Sequence, residues 1–353
     1  MHPASFTAMN CLPDYIGIEG CSETTSDSGY YINRLLPGIT LESIDKIAQA
    51  DQVTYKGVWD DVQARAALRF EADVIRAFQS RYQIRNISQS IDLLKFIDAV
   101  NNQTAAAAKW RGFTIELVAA NQYRRVQSAL QCINIQSVRL YRKAVTAAIN
   151  GKIFNLETGE VISTFTIPVN AAVGWTEVNI NLRVFAFRVF VAFDSTAVNC
   201  VELDIQSDVI NKFASGVCDC FGDCEAAIRG AESSSLLTNV TDADITDGNN
   251  LFGFSGVFSV GCSYNAVVCQ NKSQFLMPWA FILGRELMWE RVNSSRINRW
   301  TIGIDAEKAK KQMSDFDIAY HKELETVIEG ITLDQMDCCL ECNAPVQYRE
   351  SVM

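Results

Sequence analysis

The feature that most narrows what this chain can fold into is the run between Glu177 and Phe193. Val178, Ile180, Leu182 and Val184 alternate with Glu177, Asn179, Asn181 and Arg183, the period-two signature of a strand with one buried face. After Val184 the phase slips, and Phe185, Phe187, Val189, Val191 and Phe193 take over the apolar positions. A one-residue slip turns every later side chain to the opposite face, so the spacing predicts a bulge, corner or strand break near Val184. The run belongs to a β-rich block from Gly112 to Ile205, with further strands expected around Phe113 to Val118, Cys132 to Tyr141, Val145 to Leu156 and Val161 to Val169. LETGEV places Gly159 where a hairpin needs positive φ, and a bulge is expected near Gly151. Cys132, Ile133 and Ile135 followed by Val138 and Leu140 show a second phase slip. A block with several corners reads as an antiparallel β-sandwich, jelly-roll-like in its corners.

The flanks carry a different period. Val62, Ala66, Phe70, Val74, Phe78 and Tyr82 recur every four residues, which predicts a helix from Trp59 to Tyr82. A second helix is expected over Ser90 to Val100 from Leu93, Leu94, Ile97 and Val100. Downstream, a helix starts near Pro278 and runs to Arg291, and another runs from an Asp305 cap to a Gly330 stop. Each helix buries one face, so the segments before and after the β block are expected to pack together. The fold class is therefore α+β: a sandwich inserted between helical segments, plus an irregular Cys-rich region. The divisions are an extended arm over 1–56, a helical segment over 57–111, the sandwich over 112–206, a Cys- and Gly-rich irregular segment over 207–273 with short strands such as Phe254 to Val260, and a helical segment over 274–353. The arm, with Thr40 placed to cap a short helix, is read either as reaching a neighbouring subunit or as packing along its own domain.

With 31 Lys+Arg against 41 Asp+Glu the formal net charge is −10, which disfavours adhesion to a phosphate backbone. The start lacks a basic stretch followed by an apolar one, and the longest apolar runs reach about half the ~20 residues a membrane span needs. The expectation is a protein made in the cytoplasm with no membrane partner.

The twelve cysteines carry the densest chemical signal. CDCFGDC (Cys218, Cys220, Cys224) and CCLEC (Cys338, Cys339, Cys342) form two half-sites that zinc could join, although only Cys220 to Cys224 and Cys339 to Cys342 have the usual ligand spacing. Buried reduced thiols and disulfides are the other two readings. DADITDGNN misses the calcium-loop spacing by one residue and reads as a solvated turn. No nucleophile elbow, zinc-protease helix, phosphate loop or dinucleotide fingerprint occurs, and with two histidines the chain is not expected to be an enzyme. Trp279, Phe281, Trp289 and Trp300 are more aromatic surface than one short helix usually buries, which makes them candidates for subunit contact, with an intramolecular core as the alternative.

Taken in order, CLPDYIGIEGC, SGYYINRLLPGI, CDCFGDCEAAIRGAE, FLMPWAFILGRELMWERVNSSRINRW and the CCLECN tail resemble a structural protein of tailed phages infecting Bacteroidetes, especially the crAss-like group. The resemblance spans nearly the whole chain and points towards the portal-to-tail region. It implies a virion component assembled in the host bacterial cytoplasm, forming a homo-oligomeric ring among neighbouring portal and tail proteins. Genomic DNA would pass through that ring without specific binding, which the acidic balance fits. The resemblance brings no defined functional residues. A glycan-binding or adhesive sandwich is the rival expectation; it calls for exposed aromatics on the sandwich, whereas the block has one tryptophan, Trp175, next to Gly174 in an expected turn.

Overall fold

The structure, a computed structural model, describes residues 11–21, 24, 26–44, 54–82, 84, 88–120, 125–126, 130–142, 147–169, 173–205, 209–214, 223–293, 304–333 and 339–340. The chain divides into two compact units. Thr7–Tyr82 and Val267–Leu333 form a helical unit, and Gln83–Ala266 forms a β unit that also takes in Cys339 and Leu340. The fold is α+β, with the β unit inserted in sequence between the two halves of the helical one.

In the helical unit the arm comes first, with strands β1 (Ile16–Gly17) and β2 (Tyr30–Tyr31) paired in parallel and a single turn, α1 (Ile32–Leu35). Thr40 caps the turn at 41–44 by accepting the Ser43 N–H at 3.2 Å. Helix α2 (Tyr55–Gln79) starts at a Thr54 cap and buries Val62, Ala66, Phe70, Val74 and Phe78, the stripe read from the sequence. The short α3 (Tyr264–Gln270) leads to α4 (Leu276–Asn293) and then α5 (Ile304–Gly330). Phe70 is the hub: its ring meets Phe275 at 6.0 Å, Trp279 at 5.7 Å and Tyr320 at 6.1 Å. Leu12, Ile16, Ile18, Ile32, Leu36 and Ile39 of the arm are buried, and Cys11 is disulfide-bonded to Cys269. The arm thus packs along its own unit. Gly284 permits that packing, because a Cβ there would come within 2.5 Å of Leu36 and 3.2 Å of Ile39 and Phe316.

The β unit holds the rest: β3 (Ser88–Asp92), β4 (Ile97–Thr104), β5 (Trp110–Ala120), β6 (Arg125–Val126), β7 (Gln131–Arg142), β8 (Ile149–Asn155), β9 (Val161–Ile167), β10 (Gly174–Val184), β11 (Arg188–Asp194), β12 (Cys200–Ile205), β13 (Val209–Ala214), β14 (Asp223–Ser233), β15 (Ile245–Gly248) and β16 (Phe254–Cys262). One sheet has the order β10-β7-β16-β3, and the other runs β13-β14-β5-β11-β8-β9, with β15 and β6 attached at its side. If β3, β5, β7, β8, β9, β10, β11 and β16 are lettered B to I along the chain, the sheets read G-D-I-B and C-H-E-F. That is the double Greek key of a jelly roll. The pairs in both sheets are antiparallel. Strands β13 to β15 are an insertion before the last strand that widens the C-H-E-F sheet, while β4 and β12 form a separate ribbon.

Aromatic rings join the two sheets. Phe254 packs against Phe113 at 5.5 Å and Phe193 at 5.2 Å, and stacks with Phe165 at 6.4 Å. The second face of the larger sheet is also covered, with Trp110, Phe154, Leu156, Phe190, Ala192, Ala231 and Val240 making a smaller core. Burial on both faces explains why Val189 to Phe193 is apolar without alternation, as in any central strand. Chain direction changes where the phase slips: β10 ends at Val184 and β11 begins at Arg188. The second slip is a bulge inside β7, where the pairing passes from Ser137 to Ile135 and leaves Gln136 out. The β8–β9 hairpin turns at Gly159 with φ +76°.

Four expectations are corrected. Ser90 to Val100 is not a helix: it is β3, a 3-10 turn over Leu93–Phe96 and the start of β4. Apolar spacing over so short a window suits either structure, and here Ser88–Asp92 gains a ladder along β16. The β unit therefore begins at Gln83 and not at 112. The described residues of 207–273 are more regular than expected: they supply β13 to β16 and α3, β16 being the strand expected at Phe254 to Val260; glycines in β14 and β16 lie where neighbours come close, as at Gly230, whose Cβ would overlap the Asn250 backbone. The bulge of the β8–β9 hairpin is on β9 and not near Gly151: the pairing passes from Ser163 to Val161 and leaves Ile162 out, while Gly151 pairs in register with Phe165, whose ring fills the space a side chain at 151 would need.

Candidate interaction surfaces

Inward residues of the G-D-I-B sheet alternate with an outward strip. Val138, Leu140 and Phe254 face the core, so Ser137, Arg139 and Tyr141 of β7 and Trp175, Glu177 and Asn179 of β10 line the other face, paired in register. Trp175 is 37% exposed and lies edge-on to Tyr141 at 5.4 Å. Next along the strip, Arg139 reaches Glu177 at 3.2 Å and Asp92 at 3.2 Å, and the Ser137 hydroxyl donates to Glu177 at 2.6 Å. Beyond the bulge, Arg183 donates to Asn134 at 3.0 Å, and the Asn134 amide donates to Ser259 at 3.4 Å. Polar groups held by each other are oriented in advance, which lowers the ordering cost of any ligand they meet.

On the helical unit, ionic contacts tie α2, α4 and α5. Arg65 reaches Glu286 at 3.4 Å and Glu290 at 2.5 Å; Arg285 pairs with Glu286 and, at 3.0 Å, with Asp317; Arg69 meets Asp317 at 2.8 Å. The Tyr320 hydroxyl donates to Asp73 at 3.1 Å, and burial beside that carboxylate holds its pKa far above the usual tyrosine value. Glu286 is buried, so this ladder is part of the fold and not a free acid pair. A groove of about 370 Å³ opens nearby, lined among others by Asp73, Arg76, Ser80, Arg81, His321 and Glu325. Its charges are mixed in sign.

The residues singled out in the sequence now separate. Trp279 is fully buried against Phe70, so it is core and not a subunit contact. Phe281 is half-buried and packs on Phe316 at 6.4 Å. Trp289 is 39% exposed, with the Arg65 guanidinium 5.2 Å over its ring, and remains available to a partner. Trp300 lies outside the described residues.

The zinc constellation is corrected at Cys339, whose sulfur is bonded to Cys262 at the end of β16 and so cannot be a thiolate ligand. Cys218, Cys220, Cys338 and Cys342 lie outside the described residues, and Cys224 is described only as a residue of β14. Among the described residues no group of three His, Cys, Asp or Glu is placed to hold a metal. Cys21, Cys132 and Cys200 are free thiols; burial pushes Cys132 up to about 11, and burial raises Cys200 despite the Arg111 guanidinium beside it. No helix among the described residues is long and apolar enough to cross a membrane.

The sequence matches no protein-family profile. It matches no curated protein either. Among solved structures, the 2.6 Å structure of infectious bursal virus derived T=1 particles aligns at 10% identity over 62% of this chain and 55% of that one, with a TM-score of 0.18. The D431N mutant VP2 protein of infectious bursal disease virus, also in T=1 particles, aligns at 10% identity over 63% and 56%, with a TM-score of 0.17. The chain spans a little over half the length of each, and likeness at this level carries no argument. The jelly roll stands on its own strand order.

Proposed function

We propose that this protein is a structural component of a virion, acting through subunit contacts and not through catalysis. The observation that carries the reading is the G-D-I-B and C-H-E-F strand order, an architecture widely used for viral shells and also for lectins. A fold alone leaves function open, and the ordered resemblance to crAss-like phage structural proteins favours the virion. Within it, we assign the chain to a homo-oligomeric ring of the portal-to-tail connector type, with DNA passing through an acidic lumen that does not grip it. Surface for such contacts exists on both units: Leu68, Ile318 and Trp289 on the helical one, and Val169 and Val173 on the β one, are exposed. Negative-stain imaging of the purified chain tests this. Closed rings support it, and isolated monomers oppose it.

A second reading, an adhesive virion module, is favoured by one observation, the exposed Trp175 beside Tyr141 at the head of a polar strip.

A further inference from the structure

We infer that the outward strip of the G-D-I-B sheet is a binding site for neutral, pyranose-containing oligosaccharides. The inference rests on the second, adhesive reading and does not depend on ring formation.

A pyranose ring has an apolar face of C–H bonds and a rim of hydroxyls. It therefore needs an aromatic plane beside fixed donors and acceptors. The strip supplies both in one line. Trp175 is 37% exposed and braced edge-on by Tyr141, so its position is set before a ligand arrives. Two residues along β10, Glu177 offers a side chain that is 46% exposed, already fixed by Arg139 and Ser137. Asp92 of β3, with a side chain 29% exposed, is held by the same guanidinium from the opposite side.

Geometry sets the size of the ligand. From Trp175 to Asn179 the strand advances about 13 Å, at roughly 3.3 Å per residue, which is room for about two sugar rings. Charge sets its type. Among the described side chains of the strip, the two cations, Arg139 and Arg183, are matched in number by the carboxylates of Glu177 and Asp92, leaving no net positive charge to capture an acidic sugar or a phosphate. Carboxylates that already accept from Arg139 keep lone pairs for sugar hydroxyls, since each ionised carboxylate offers about four acceptor sites.

The test uses the full chain on a printed array of neutral and acidic oligosaccharides, followed by titration calorimetry with the best-bound neutral oligosaccharide. The expected result is selective binding of neutral glycans. Trp175→Ala should weaken it at least tenfold and Glu177→Gln at least threefold, while Leu236→Ala, on another surface, binds as the unaltered chain does. Thermal melting of each variant verifies folding. The inference is overturned if no neutral glycan binds, or if a bound glycan is held equally well by folded Trp175→Ala and Glu177→Gln. A glycan bound with full affinity by both variants would leave the adhesive reading standing and remove this site; no glycan binding at all would remove both.

Discussion

The indole of Trp279 lies edge-on to the Phe70 ring, with centroids 5.7 Å apart and planes at 78°, and both side chains are sealed from solvent. Removing such a ring leaves a cavity that the surrounding helices only partly close. Trp279→Ala is expected to lower unfolding free energy by about 3–5 kcal/mol in urea titrations. Trp289→Ala, which loses a half-exposed ring and its cation–π contact with Arg65, should cost about 1 kcal/mol or less. Equal costs would contradict the division of these two tryptophans into core and surface.

Gly284 is the point where the arm seats on α4. A valine there meets Leu36, Ile39 and Phe316 at once, and overpacking of this kind costs about 1–3 kcal/mol. Since the arm is the part able to yield, Gly284→Val should also speed proteolytic cleavage within 11–44, read by mass spectrometry of a timed digest.

Among the described residues two disulfides staple outlying stretches to the body of each unit: Cys11 to Cys269 across a separation of 258 residues, and Cys262 to Cys339 across 77. On loop-entropy grounds the shorter loop contributes up to about 4.5 kcal/mol and the longer up to about 5.5 kcal/mol. Non-reducing peptide mapping of oxidised protein should find both pairs, and dithiothreitol should lower the melting temperature. An oxidised sample in which Cys339 pairs elsewhere would contradict the placement of the tail beside β16.

Glu232 gives the fold a defined acid sensitivity. Burial alone would raise its pKa, but hydrogen bonds from Lys109 and Arg111 hold it below the ordinary value of 4.5. A carboxylate depressed by folding stabilises the native state fully above its unfolded value, and that contribution is lost as pH falls through the folded value. Stability measured from pH 6 downward should therefore decline below about pH 4.5, and Glu232→Gln should flatten part of that decline. At pH 7 the same substitution leaves the buried Arg111 short of its carboxylate and should cost about 1–3 kcal/mol.

Much of this fold was legible because local patterns decide local structure. The slip at Val184 marked a real break between β10 and β11, the four-residue stripe marked α2, and Gly159 marked a hairpin. What stayed hidden was non-local. Nothing near Phe254 announces that β16 slides between β3 and β7, yet that pairing completes the jelly roll and makes a strand of Ser88–Asp92. The cysteines were legible only as alternatives for the same reason: CDCFGDC and CCLEC read as two half-sites of a zinc centre, as buried thiols or as disulfides, and only the fold puts Cys339 beside Cys262, 77 residues upstream. The strip around Trp175 was equally out of reach, because Arg139, Glu177 and Asp92 meet only through strand register.

The central claim, a jelly-roll virion subunit that assembles with itself, is tested most directly by native mass spectrometry of the oxidised full chain at micromolar concentration. The account predicts one dominant species at a fixed multiple of 39.3 kDa, as a closed ring requires. A stable 39.3 kDa monomer across the concentration range would contradict it.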